Sequence, residues 1–239
     1  MATDSMRDYW DARAQEDPFF FVDNRLHYRA PDLERFWEGG REAVRRMSDA
    51  LGAEVAEGDA VVEIGCGAGR MTRVFAEPAS RVWALDVSEK MLEVARELNA
   101  ELDNVEWLLG DGRTLTGVPD ACADVCQSHV VFQHIPDPEI TLGYVTEMGR
   151  VLRPGGWAAF QISNEPSFHR RRPLRERVPQ ALRALTGRAP RGQDHPAWRG
   201  SAVDLGRLRE VADRAGMDVE RVVGEGTPLC LVLLRRRDG

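Results

Sequence analysis

From Ala60 onward, short apolar runs alternate with stretches in which apolar residues return every three or four positions. A run of four to eight apolar residues between turn formers reads as a buried strand, and the longer period as one face of a helix. Ala60–Ile64 predicts the first strand and Arg81–Asp86 the second; residues 104–111 predict the third, 123–132 contain the fourth and 156–163 form the fifth. Ser88 caps a helix with Met91, Leu92, Ala95 and Leu98 on one face. Asp137 and Pro138 open another that turns Ile140, Tyr144, Met148 and Val151 inward and stops at Pro154-Gly155-Gly156. A helix near 203–215 is ended by Gly216, and residues 217–224 and 228–234 read as a closing pair of strands. Ahead of the first strand, residues 5–16 and 32–51 predict helices, the second carrying Phe36, Val44, Met47 and Leu51 on a stripe. Strands that alternate with helices predict an α/β, doubly wound sheet.

Length and composition narrow the class. A chain of 239 residues suits one such domain with additions. Its net charge of −7 argues against a general surface for nucleic acid or another polyanion. Lys90 is the sole lysine, which reads either as a coding bias or as use of arginine's bidentate chemistry. Residues 164–200 break the pattern: nine arginines stand there against Glu165, Glu176 and Asp194. Such a segment is either a solvated lid or a means of recognising an anionic acceptor or an acidic carrier protein. Cys66, Cys122, Cys126 and Cys230 fall in or beside apolar runs, so reduced buried thiols are expected and no metal set is completed. No apolar stretch approaches a membrane span, and no signal peptide is read, so a cytoplasmic protein is expected.

The chemistry concentrates where the first strand runs into Gly65-Cys66-Gly67-Ala68-Gly69-Arg70. Glycines after a buried strand let the backbone approach a ligand at the next helix's N-terminus. A dinucleotide fingerprint needs glycine or alanine at the sixth position of this turn, and Arg70 is too bulky for that packing. This weakens a nicotinamide-dependent oxidoreductase reading. Glu63, inside the strand end, suits a cation better than a pyrophosphate.

Glu63-Ile-Gly-Cys-Gly-Ala-Gly69, together with acids ending the next two strands at Asp86 and Asp111, resembles the class I S-adenosylmethionine-dependent methyltransferases. The resemblance covers residues 60–163 motif by motif and the C-terminal end more loosely. It implies a seven-stranded, mostly parallel sheet whose last strand inserts antiparallel, with residues 1–59 as a helical cover and 164–200 as a lid or substrate insertion in a 60–239 domain. It also implies S-adenosylmethionine as cofactor. Gly65, Cys66, Gly67 and Gly69 would admit the methionyl part, with Glu63 on its ammonium; Asp86 would take the ribose hydroxyls. Asp111, with Gly112 and Arg113, would meet the adenine, alongside Val87, Met91 and Ser128. Acids in such loops also serve as caps or turn formers.

Methyl transfer asks mainly for alignment and exclusion of water, and for a general base when the acceptor is protonated. His129 and His134 are the candidate bases, although the family uses the His-Ile-Pro-Asp context of His134 as a structural turn. Tyr9, Trp10 and Arg13 on the first helix, and His169 and Arg172 beyond the fifth strand, are candidates for the substrate side, with His27 and His195 behind them. The implied activity is methylation of an oxygen, nitrogen or carbon of a small-molecule acceptor, as in specialised metabolism. Alternatives are a non-methylating use of the sulfonium such as cyclisation, an RNA substrate, or a non-catalytic binding subunit. Neither an Asn-Pro-Pro-Tyr motif nor the Pro-Cys nucleophile of cytosine methylation is present.

Overall fold

The computed structural model describes residues 2–170, 190, 192 and 194–238. Three helices lead in, α1 (Ala2–Glu16), α2 (Pro18–Val22) and α3 (Leu33–Leu51). β1 (Ala60–Ile64), α4 (Thr72–Ala76), β2 (Arg81–Asp86), α5 (Glu89–Leu98) and β3 (Val105–Leu109) follow. Then come β4 (Ala123–Ser128), α6 (Pro138–Val151), β5 (Leu152–Ile162), α7 (Pro196–Arg199), α8 (Leu205–Arg214), β6 (Met217–Val223) and β7 (Cys230–Arg236).

The seven strands form one sheet in the order β3-β2-β1-β4-β5-β7-β6. β1 to β5 run parallel, and β7 enters antiparallel between β5 and β6. The order reverses between β1 and β4, and in an open α/β sheet a ligand crevice forms outside the carboxyl ends of the strands at such a point. Every residue of β1 is buried, as a central strand covered on both faces requires. Val62, Ile64, Cys126 and Phe160 pack with residues of α6 and α8 in one layer, including Met148 and Leu208. Val61, Ala84, Val125 and Leu233 pack with Met47, Leu51 and Phe75 of α3 and α4 in the other.

Element ends differ from the sequence reading for local reasons. β5 begins at Leu152, directly after α6, but only Leu152 pairs with Ala123 before the register shifts; regular pairing resumes at Trp157 with Val125. Pro154 lies in that gap, where its missing N–H costs no ladder bond. α2 was not foreseen, because five residues show no period; it forms where the Asp17 side chain accepts from Phe20 N (3.1 Å) and Pro18 opens the turn. α3 carries two mid-helix glycines, and a Cβ at Gly40 would lie 2.3 Å from the carbonyl oxygen of Arg70. That close approach seats the helix against the loop after β1.

Among the described residues all four cysteines are free, Cys66, Cys126 and Cys230 buried and Cys122 half-buried. Among them, too, no group of acids, histidines and cysteines could hold a metal ion, and no helix is long and apolar enough to cross a membrane.

Candidate active site

At the carboxyl end of β1 the backbone N–H groups of Gly65 and Cys66 both bond the carbonyl of Leu85 (2.7 and 2.9 Å), so the loop is pinned to the end of β2. Gly65 has φ +77°, and a Cβ there would meet Val131 Cγ2 at 2.3 Å; no other residue fits without movement. The Asp86 carboxylate accepts from Gly67 N (2.8 Å) and Ser88 N (2.9 Å). Glu63 accepts from the Thr72 hydroxyl at the start of α4. Burial pushes Glu63 up to about 7, against the opposing Thr72 bond and the Arg70 charge, and it pushes Asp86 up to about 6.

Both carboxylates line a cleft of about 120 Å³ with the loop glycines Gly65 and Gly67 and with Cys66, Arg70, Val87 and Met91. Gly110, Gly112 and Tyr144 lie beside them, and His129, His134, Trp10, Met6, Phe21 and Val22 close the remaining sides. After β4 the chain turns sharply at Val130, whose φ of +59° is unusual for a β-branched residue. His129, Val130 and Val131 all line the cleft through that turn.

Arg70 Nη1 bonds Asp23 Oδ2 at 2.8 Å, both side chains being buried. Arg25 holds the same Asp23 through two further bonds (2.8 and 2.6 Å). Against burial, which would raise it, these guanidinium bonds hold Asp23 below the usual carboxylate range. Arg70 Nε and His129 Nδ1 are buried without a partner. Burial first, and then the Arg70 and Arg25 charges, press His129 down to about 4. His134 is also held at about 4 by burial. Its Nδ1 lies 2.7 Å from the Trp198 carbonyl oxygen, which makes it the donor, and its Nε2 faces the Gln133 amide nitrogen at 3.3 Å.

α1 roofs the cleft. Arg7 donates to the main-chain carbonyls of Val87 (3.2 Å) and Gly110 (3.0 Å), bridging the loops after β2 and β3. Asp11 accepts from the Ser88 hydroxyl (2.6 Å) and Lys90 N (3.2 Å) at the start of α5. Trp10 packs edge-on to His134, which in turn lies against Trp198.

Several residues singled out from the sequence stand elsewhere. Asp111 turns into its own loop and accepts from Arg113 N, Thr114 N and the Thr114 hydroxyl, each at 2.7 Å; it and Arg113 do not line the cleft. Ser128 ties β4 to β1 through the Ile64 carbonyl (2.9 Å). Gly69 faces Asn99 and Trp107 rather than the cleft. Tyr9 stacks on His195 at 4.5 Å, and Arg13 lies over the Tyr9 ring and pairs with Glu16. His169 is bonded to the Arg199 carbonyl, His27 is exposed, and Arg172 with most of the 164–200 segment lies outside the described residues. Arg70, Arg7, Tyr144, Phe21 and Val22 were not anticipated. The inward stripe of α6 marked Tyr144, but nothing local marks Arg70, whose partner is 47 positions earlier.

The residues present suit S-adenosylmethionine. Glu63, buried, and Asp86, half-buried, bring two carboxylates to the cleft wall that suit cationic and hydroxyl groups, Arg70 Nε has no partner and suits an anion, and the Gly65 and Gly67 backbone leaves no room for side chains. A methyltransferase-domain family matches residues 62–160. Trans-aconitate 2-methyltransferase of Azoarcus sp. (strain BH72) is 33% identical over 82% of this chain and 79% of its own. Malonyl-[acyl-carrier protein] O-methyltransferase of Serratia marcescens is 39% identical over 43% of this chain and 38% of its own. Over several curated relatives the chain spans less than half of their length. Among solved structures, phosphoethanolamine N-methyltransferase 1 of Haemonchus contortus, in complex with phosphoethanolamine and S-adenosylhomocysteine, is similar with a TM-score of 0.69 and 18% identity. That match takes in all of this chain and 49% of the other, and bears on the fold.

Proposed function

Since this chain belongs to the class I S-adenosylmethionine-dependent methyltransferases, we propose that it methylates a small-molecule acceptor held in the cleft at the ends of β1, β2 and β4. The observation that carries this reading is the pair Glu63, buried, and Asp86, half-buried, two carboxylates raised to about 7 and about 6 on the wall of one cleft. Carboxylates desolvated to that degree are costly unless a ligand supplies cationic and hydroxyl partners.

S-adenosylmethionine, when bound, supplies a methyl group made electrophilic by a positively charged sulfur. Glu63 would hold its ammonium, Arg70 its carboxylate and Asp86 its ribose, while Val87, Met91, Tyr144 and the loop of Gly110 and Gly112 would enclose the adenine. Asp111 keeps that loop in shape through Arg113 N and Thr114. Met6, Trp10 and Phe21 exclude water from the acceptor side, so residues 1–59 serve as the cover. Positioning and desolvation of this kind supply most of what an in-line displacement needs. The trans-aconitate and malonyl relatives support an acidic acceptor, free or carried on a protein.

Titration calorimetry with S-adenosylhomocysteine tests the donor site, with saturable micromolar binding expected. A labelled-methyl transfer assay tests the reaction, and product formed without S-adenosylhomocysteine release would replace transfer by another use of the sulfonium.

A further inference from the structure

We infer that α1 joins the two sides of the active site: the helix that closes over the donor also seats residues 195–201 and the loop after β4, so that donor binding organises the acceptor side before an acceptor arrives. Trp10 is the positioning residue at this joint. This rests on the methyltransferase reading above and adds a coupling between its two ligands.

Residues four apart on a helix share one stripe, and α1 turns three neighbouring stripes toward three different partners. Arg7 and Asp11 hold the donor's side: Arg7 donates to the Val87 and Gly110 carbonyls, and Asp11 accepts from the Ser88 hydroxyl and Lys90 N. Met6 and Trp10 line the cleft itself. Ser5 and Tyr9 meet His195: the Tyr9 ring stacks on it at 4.5 Å, and the Ser5 hydroxyl lies 3.5 Å from its Nε2. His195 in turn caps α7, its Nδ1 accepting from Ala197 N (3.1 Å). The third stripe of α1 therefore rests on the start of α7.

Trp10 also reaches beyond the cleft. Its ring is edge-on to His134 at 5.6 Å and lies 6.4 Å from Trp198, which Phe21 of α2 meets at 5.7 Å. His134 bonds the Trp198 carbonyl (2.7 Å), the Ser201 hydroxyl donates to the Ile135 carbonyl (2.7 Å), and a Cβ at Gly200 would lie 1.7 Å from the Gln133 carbonyl oxygen. Residues 198–201 and the loop after β4 thus form one packed unit, joined to α1 through the rings of Trp10, His134 and Trp198. His134 and Ile135 line the cleft, whereas none of residues 195–201 does. A donor held between Met6 and Trp10 on one side and Gly65 and Asp86 on the other touches both α1 and the sheet, so it favours the seated helix over a lifted one. Seating α1 brings Tyr9 and Trp10 onto His195, His134 and Trp198. The linkage is reciprocal: whatever fixes residues 195–201 tightens the hold on the donor.

Amide exchange reads this coupling without an acceptor. The N–H groups of Trp198, Arg199 and Gly200 bond the carbonyls of His195 and Pro196, and so short a helix opens locally, so their exchange follows how firmly α7 is seated. Saturating S-adenosylhomocysteine should slow these amides about tenfold, an ordinary coupling between two sites. Arg7→Ala leaves the ring cluster in place, and Trp10→Ala leaves the bonds to the donor loops in place. In each, again saturated with S-adenosylhomocysteine, the slowing should shrink to about threefold or less, while Trp10→Phe should keep most of it. No slowing in the unaltered protein, or full slowing in Arg7→Ala or Trp10→Ala, would overturn the coupling. Should Trp10→Ala fail to fold, Arg7→Ala, a change at a half-buried position, decides by itself. If S-adenosylhomocysteine does not bind the unaltered protein, the methyltransferase reading itself fails.

Discussion

Glu63→Gln should make the protein more stable and a worse enzyme. The carboxyl group sits at the buried end of β1 and holds its proton to about pH 7, against an ordinary 4.5. An unfolded chain gives that proton up near pH 4.5, so the folded state is penalised progressively from pH 4.5 to 7 and by a constant amount above. A displacement of that size corresponds to about 3 kcal/mol. Glutamine has the same shape and still accepts from the Thr72 hydroxyl, but it carries no charge to desolvate. Urea unfolding without ligand should therefore find the variant about 3 kcal/mol more stable at pH 8, with the gap shrinking to roughly 1 kcal/mol at pH 5. Affinity for S-adenosylhomocysteine should move the other way, falling about ten- to a hundredfold as the ammonium loses its charged partner. A stability gap that does not change with pH, or a variant less stable at pH 8, would refute the reasoning.

Asp86→Asn should weaken S-adenosylhomocysteine binding by about 1 to 3 kcal/mol, since one oxygen that now accepts from Gly67 or Ser88 becomes a donor; unchanged calorimetric affinity would remove Asp86 from the site. Arg7→Ala breaks both main-chain bonds that seat α1, so amide exchange across residues 2–16 should quicken and S-adenosylhomocysteine should dissociate faster; identical exchange would show the roof is held elsewhere. Gly65→Ala should cost more than about 2 kcal/mol, because the added Cβ meets Val131 at 2.3 Å on a left-handed backbone. Adding Val131→Ala should recover the steric part and leave the roughly 1 kcal/mol backbone part, a split measurable by a double-mutant cycle.

Local signals made the scaffold legible. Ala60–Ile64 is apolar because it is covered on both faces, and Ser88, Asp137 and Gly216 mark helix ends because caps and left-handed turns are satisfied within a few residues. Much of the cleft wall was legible on the same terms, since Glu63, Gly65, Gly67 and Asp86 sit at strand ends that the sheet aligns. What stayed hidden depends on partners far along the chain. His134 is taken up by Trp198, 64 positions away, and Arg70 by Asp23; no spacing encodes either bond. Asp111 follows the end of β3 by two residues where Asp86 ends β2, and there Thr114, three positions on, offers it donors of its own. The same residue type near a strand's carboxyl end thus met a different local competitor.

Arg7 grips its two loops only through peptide oxygens, at Val87 and Gly110. A grip of that kind is blind to side-chain identity: any residue substituted at either position presents the same carbonyl. The linings of both loops are therefore free to diverge and retune what the enclosed space accepts, while the helix above keeps its seat.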